Sequence, residues 1–132
     1  MSKYLAPYAA TLVVMLVIDL LWIGVIAKPL YQQGIGHLMA EQPRLPVAVA
    51  FYLVYALGLT VFAVASGSVT DWKGAALYGA MFGFFAYATY DLTNLATLRN
   101  WPLGLALIDM AWGTAVSAVC AGVGRWTLDR LG

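Results

Sequence analysis

APYAATLVVMLVIDLLWIGVIA, running from Ala6 to Ala27, is the stretch that decides the fold. It carries one charge, Asp19, in an otherwise apolar run. A helix of about 20 such residues crosses a hydrocarbon core of about 30 Å. The run is too long for the apolar part of a signal peptide, Asp19 interrupts it, and no small-residue cleavage pattern follows. A retained transmembrane helix is therefore expected.

Three more segments read the same way: Val47 to Ala65, Ala75 to Leu98 and Leu103 to Arg125. The breaks between them have local causes. Lys28-Pro29 closes the first span, and Pro43 and Pro46 bracket the entry to the second. Gly67, Ser68 and Asp71 make a turn between the second and third. Arg99-Asn100-Trp101-Pro102 forms a short polar hairpin with an interfacial aromatic. Composition agrees, with 63% of 132 residues apolar and 10% charged. Soluble domains carry about 25% charged residues. The expected fold is all-α: a polytopic membrane protein, a compact bundle of four transmembrane helices forming a single domain over residues 1–132.

The longest connection, Lys28 to Pro46, carries Tyr31, Ile35 and Leu38 between polar residues. It reads as a short interfacial helix, weakened by Gly34 and Gly36. A net charge of +1 with no basic patch excludes a nucleic-acid footprint. Cys120, the sole cysteine, allows no internal disulfide and reads as packing. Gly79 and Gly83 in the third span, and Gly113 and Ser117 in the fourth, have the spacing that lets helix backbones approach closely. They are expected to pack helices within one chain, with a dimer seam as the alternative.

Asp19, Asp91 and Asp109 interrupt three of the four spans. Carboxylates in hydrocarbon are costly, and they mark interior polar sites. Counted from the side opposite the termini, each lies about 10–12 Å deep at 1.5 Å per residue. A shared polar layer is the economical reading. Trp22 follows Asp19 by three residues, and Trp112 follows Asp109 by three, so each Trp shares a helix face with its Asp. An indole N–H can donate to a carboxylate. Because the two helices run oppositely, Trp22 steps toward the surface and Trp112 toward the midplane. Simple wedging between helices is the competing role for both rings.

In the third span, Tyr87, Asp91 and Asn94 form one stripe, while Thr93 and Thr97 can bond to backbone carbonyls. In the second, Tyr52 and Tyr55 enter from the same side, and Tyr55 is level with the aspartates. The expected site therefore comprises Asp19, Asp91, Asp109, Asn94, Tyr55, Tyr87, Trp22 and Trp112. Three ionised carboxylates at close quarters would repel, so the set calls for a shared proton or a cation. No Lys or Arg lies within the spans near this layer; Lys28 and Arg99 sit at its outer edge. His37, the only histidine, reads as an interfacial residue. Without a histidine-rich motif no cofactor is expected. Oxygen coordination of magnesium or manganese by Asp and water is the lesser alternative.

Four phrases, in order, carry a family resemblance: Ile18-Asp19-Leu20-Leu21-Trp22, Phe51-Tyr52-Leu53-Val54-Tyr55, Tyr90-Asp91-Leu92-Thr93-Asn94 and Ile108-Asp109-Met110-Ala111-Trp112-Gly113. Over nearly its full length the chain resembles the bacterial four-helix membrane proteins catalogued as domain of unknown function 2177. The resemblance implies a multi-pass protein of the bacterial inner membrane and brings no reaction or substrate. The basic residues are split four (Lys3, Lys73, Arg125, Arg130) to three (Lys28, Arg44, Arg99), which leans toward cytoplasmic termini.

The leading functional expectation is binding or transport of a small cationic or proton-coupled substrate, with a homodimer supplying the full path. A membrane enzyme doing acid/base chemistry on a lipid or isoprenoid-like substrate is the second reading. A structural or assembly role is the third. Expected partners are membrane lipids, a second copy, and a small cationic or lipid substrate, with no nucleic acid.

Overall fold

The computed structural model describes residues 2–40, 42 and 44–131; Pro43, read as part of the entry to the second span, lies outside them. After a 3-10 turn, helix α1 runs over Leu5–Leu21 and continues as a π-helical turn, Trp22–Ile26. Lys28–Ile35 forms the short helix α2, followed by a 3-10 turn at Gly36–Leu38. Helix α3 spans Leu45–Leu59 and also ends in a π-helical turn, Thr60–Val64. Helix α4 spans Trp72–Thr97 and α5 spans Leu103–Leu131. No strand occurs among the described residues. The chain is an all-α membrane bundle.

Three of the long helices, Leu5–Ile26, Leu45–Val64 and Leu103–Leu131, are long and apolar enough to cross a membrane. Helix α4, at 26 residues, has the length for a crossing, about 39 Å. Its tyrosines, threonines and Asp91 leave it without an 18-residue stretch as apolar as those of the other three. The threonines are satisfied locally. Thr89 donates to Phe85 O at 2.6 Å, Thr97 to Thr93 O at 2.8 Å, and Thr93 to the carbonyls of Thr89 and Tyr90. Such bonds let polar side chains face lipid.

Observed ends stay within a few residues of the expected ones, except in α5. That helix runs past Arg125 to Leu131, with Arg125 Nε bonded to Asp129 Oδ1 at 3.0 Å one turn on. Pro29 and Pro46 both sit in the first turn of a helix, α2 and α3, where a missing N–H costs nothing. Asp71 caps α4 by accepting from the Gly74 N–H at 3.0 Å. The α4–α5 turn places Asn100 at φ 60, a left-handed conformation that Asn tolerates. The two π turns close with wide backbone bonds, Ala27 N–H to Trp22 O at 2.6 Å and Ala65 N–H to Thr60 O at 2.8 Å. Arg125 Nη1 donates to Val64 O at 3.0 Å, securing the end of the second turn.

Helices α4 and α5 form an antiparallel hairpin with the most extensive contact in the molecule. Its seam joins the small residues of both helices. A Cβ on Gly79 would stand 2.6 Å from the Ala121 Cβ and the Ser117 carbonyl, and one on Gly83 would overlap the Gly113 carbonyl and Ser117. These glycines therefore serve contact within the chain. Helix α1 lies antiparallel on α5, with Pro7 and Thr11 against Gly124 and Asp19 against Trp112. The core of Met15, Leu59, Val64, Val116 and Cys120 fills the half of the bundle nearer the termini. Leu20, Val25 and Val54 point outward, as lipid-facing residues do.

Candidate functional site

At the other end the helices part around a cavity of about 740 Å³. This lies within the usual range for small-molecule sites, about 300–1,000 Å³. Its lining draws on α1 with its π turn, α2, α3, α4 and α5. The two tryptophans three residues after an aspartate meet there. Trp22 and Trp112 stack with ring centroids 4.2 Å apart and planes 8° from parallel.

The pairing of acids with indoles is crossed. Neither Trp bonds the Asp on its own helix. Trp112 Nε1 donates to Asp19 Oδ1 at 3.1 Å, from α5 to α1. Trp22 Nε1 donates to the Tyr31 hydroxyl at 3.4 Å, and that hydroxyl donates to Asp109 Oδ1 at 2.6 Å. The two rings do step in opposite directions from their acids, and they meet because Asp19 and Asp109 are not level, which corrects the expected common depth of these two acids. Because α1 and α5 run oppositely, Asp19 sits level with Trp112 and Trp22 approaches Asp109. One step down on α1 and one step up on α5 bring the rings face to face. The acids of these two helices are therefore offset by roughly one helical turn, about 5 Å.

All three aspartates are buried, with 4%, 1% and 7% of Asp19, Asp91 and Asp109 exposed. Asp19 and Asp109 line the cavity. Asp91 stands behind the wall, beside Asp109 and the Trp101 indole. The Asp91 oxygens and the Trp101 N–H are buried together there without a well-formed hydrogen bond to any described residue. Trp101, expected at the interface, is folded inward with its ring edge-on to Tyr90 at 5.7 Å. The tight turn through Asn100 directs it there.

Tyr55 and Tyr87 both line the cavity, and their rings meet edge-to-face at 6.1 Å. The Tyr55 hydroxyl pairs with Ser117 Oγ at 2.7 Å rather than with an acid. Gly113 makes room for Tyr87, since a Cβ there would overlap the Tyr87 ring. Asn94 is half-buried and outside the lining. It lies seven residues from Tyr87, about 10 Å along α4, which carries it past the cavity. His37 is exposed and also outside the lining.

The structure adds residues that the sequence reading did not select. Tyr31 is the chief one. It arrives from α2, which Gly34 lets pack close against Pro102 and Leu105. Burial, reinforced by the bond to Asp109, raises the Tyr31 hydroxyl above its ordinary pKa, so it remains a donor. Tyr52 borders Asp19, and Tyr90 and Lys28 complete the wall. A spacing signal existed for Tyr52, which precedes Tyr55 by one helical turn. None existed for Tyr31, because the Pro29 break separates its helix from any register with α1.

Lys28 reaches neither carboxylate within 4 Å, and the only ion pair among the described residues is Arg125–Asp129, at the other end. Among the described residues, no three His, Cys, Asp or Glu side chains converge as a metal site. The acids instead divide into an Asp91–Asp109 neighbourhood and an Asp19 held by Trp112. Such a site can hold an ammonium-type cation between carboxylates and ring faces, or exchange protons with a bound molecule.

No curated protein and no solved structure matches the chain. A family model described as a predicted membrane protein matches residues 4–126, covering every residue of the cavity wall. The chain belongs to this family of predicted membrane proteins, DUF2177.

Proposed function

We propose that the protein binds a small organic cation with an apolar body in the aromatic cavity and carries it across the membrane in exchange for protons. One observation supports this reading above others: Asp19 and Asp109 face a cavity, Asp91 lies behind them, and among the described residues no basic side chain, Lys28 of the wall included, forms an ion pair with any of the three. Uncompensated carboxylates in a low-dielectric layer need either protons or a bound cation. Alternation between these two states is the elementary step of proton-linked exchange. The stacked indoles and the tyrosines supply ring faces for the cation and apolar contact for its body. The cavity opens at one end of the bundle, so passage calls for a second copy or a change of helix packing. The bacterial inner membrane, with both termini cytoplasmic, is the setting this reading assumes.

The test is titration of the purified protein in nanodiscs with tetraphenylphosphonium and with a series of alkyl amines, followed by proton-linked flux in proteoliposomes. Saturable binding is expected, weakened about tenfold or more by Asp19→Asn or Asp109→Asn, the loss of a charge-assisted contact. Asp129→Asn, at the far end, serves as the control. Equal affinity in wild type, Asp19→Asn and Asp109→Asn removes the proposal.

The dominance of aromatic and aliphatic side chains in the wall favours a second reading, acid/base chemistry on a lipid or isoprenoid-like molecule. In it, Asp91 and Asp109 supply and receive the proton. A lipid profile altered by loss of the gene, and restored by wild type but not by Asp91→Asn, would select it.

A further inference from the structure

The opposite end of the molecule carries a second, unrelated concavity. On the outer face of the α4–α5 hairpin, a groove of about 400 Å³ runs between Trp72 and Trp126. Its walls are wholly apolar, with Ala76, Ala118 and Gly122 among them. The small residues that close the hairpin leave this shallow channel on its outside. From Trp126 to Ala118 it extends eight residues along α5, about 12 Å into the hydrocarbon layer. Its outer end is flanked by two aromatic side chains of the type that settles at membrane interfaces.

Two cations stand at that end. Lys73 Nζ lies 5.8 Å from the Trp72 ring centroid, and the Arg130 guanidinium lies 4.9 Å from that of Trp126. Neither has a carboxylate partner among the described residues. Asp129 is held by Arg125, and Asp71 accepts from the Gly74 N–H. Arg130 follows Trp126 by four residues, one turn further outward on the same face. The charges therefore lie where phosphates sit, and the channel lies where acyl chains sit.

We propose that this groove holds one acyl chain of an anionic glycerophospholipid, with its phosphate met by Lys73 and Arg130. A second copy of the chain fits less well. Parallel pairing of this face with itself would bring Lys73 and Arg130 of both copies together, while the nearby acids are engaged elsewhere, Asp129 by Arg125 and Asp71 at the α4 N-terminus. A zwitterionic lipid would fill the channel but would offset the pull of the two cations with its own ammonium group.

Quenching of Trp72 and Trp126 by brominated lipid tests the assignment. The protein is reconstituted in phosphatidylcholine vesicles containing rising fractions of brominated phosphatidylglycerol or brominated phosphatidylcholine. The Trp72→Phe/Trp126→Phe variant, measured in parallel, subtracts the other tryptophans. Half-maximal quenching is expected at about tenfold lower mole fraction for the anionic lipid, given two basic residues at the surface. Lys73→Gln/Arg130→Gln should bring the two curves together. Ala118→Leu, which fills the channel, should move the anionic curve to higher mole fraction at unchanged helicity by circular dichroism. Equal midpoints for both lipids in wild type, or an anionic preference that survives Lys73→Gln/Arg130→Gln, overturns the proposal. So does quenching by neither lipid, and a concentration-dependent dimer in nanodiscs would then give the face to a second copy.

Discussion

The two halves of the α4–α5 hairpin are built from the same pair of helices and differ in what stands between them. Near the termini, Gly79 and Gly83 lie directly on Ser117, Ala121 and the Gly113 backbone, with no side chain larger than these two interposed. One to two turns further along α4, Tyr87 sits over Gly113, and beyond it Asp91 neighbours Asp109. The first half is a packed seam whose neighbours α1 and α3 bury Met15, Leu59 and Cys120. In the second, large aromatics hold the helices apart around a cavity. Lipid offers little hydrophobic drive for helix association, so close backbone packing carries stability. The tight half anchors the bundle and allows the open half to retain buried acids that the fold alone would not favour.

The largest expected effect strikes the seam. Gly83→Val should destabilise the bundle by about 3 kcal/mol or more, because its Cβ meets backbone at Gly113 that cannot rotate away. Reversible unfolding in mixed micelles measures this. A small change would mean that the seam is looser than its geometry indicates.

Next comes the open half, with opposite sign. Asp91→Val removes a buried carboxylate that faces a second carboxylate, Asp109, with no ion-pair partner among the described residues, and should stabilise the fold by about 1–3 kcal/mol. The same unfolding assay reads it, paired with the flux assay, where activity should fall. Stability gained as activity is lost would mark Asp91 as retained for function. A destabilised variant would make it a structural residue and narrow the contrast between the halves.

Tyr31→Phe deletes the bond to Asp109 and should cost about 1 kcal/mol. Its main signature is faster hydrogen exchange across α2, with exchange in α4 unchanged. If exchange in α2 does not change, the helix is held by the Gly34 contact with Pro102 and Leu105 alone.

The smallest effect is expected at Gly24. It lines the cavity, and a Cβ there meets nothing within 4 Å. Gly24→Ala should alter stability by under about 1 kcal/mol, the scale of helix propensity. The same assay would set this glycine beside Gly83, one in open space and one in a backbone contact.

Much of the fold was legible because hydrocarbon imposes a one-dimensional rule. A helix in lipid must satisfy its own backbone, so long apolar runs and their breaks locate the helices with little help from tertiary context. Lys28-Pro29, Asp71 and the turn through Asn100 were readable as boundaries for the same reason. The end of α5 was not. Backbone hydrogen bonding continues past Arg125 as long as side chains such as Asp129 support the next turn.

The cavity wall was legible in its membership more than in its connections. Six of the eight expected residues line the cavity: Asp19, Tyr55, Tyr87, Asp109, Trp22 and Trp112. Asp91 stands behind its wall and Asn94 lies outside it. Each was selectable from its own helix, by residue type and depth. The sequence by itself therefore determined that acids and aromatics would populate one end of a helical membrane bundle. Only the tertiary structure decided that Trp112 serves Asp19, that Tyr31 serves Asp109, and that Asp91 is buried beside Asp109 and Trp101. Those pairings depend on the register and rotation of antiparallel helices about one another, set by Gly79, Gly83, Gly113 and Gly124 across their seams. Spacing along one helix carries no information about the register of another.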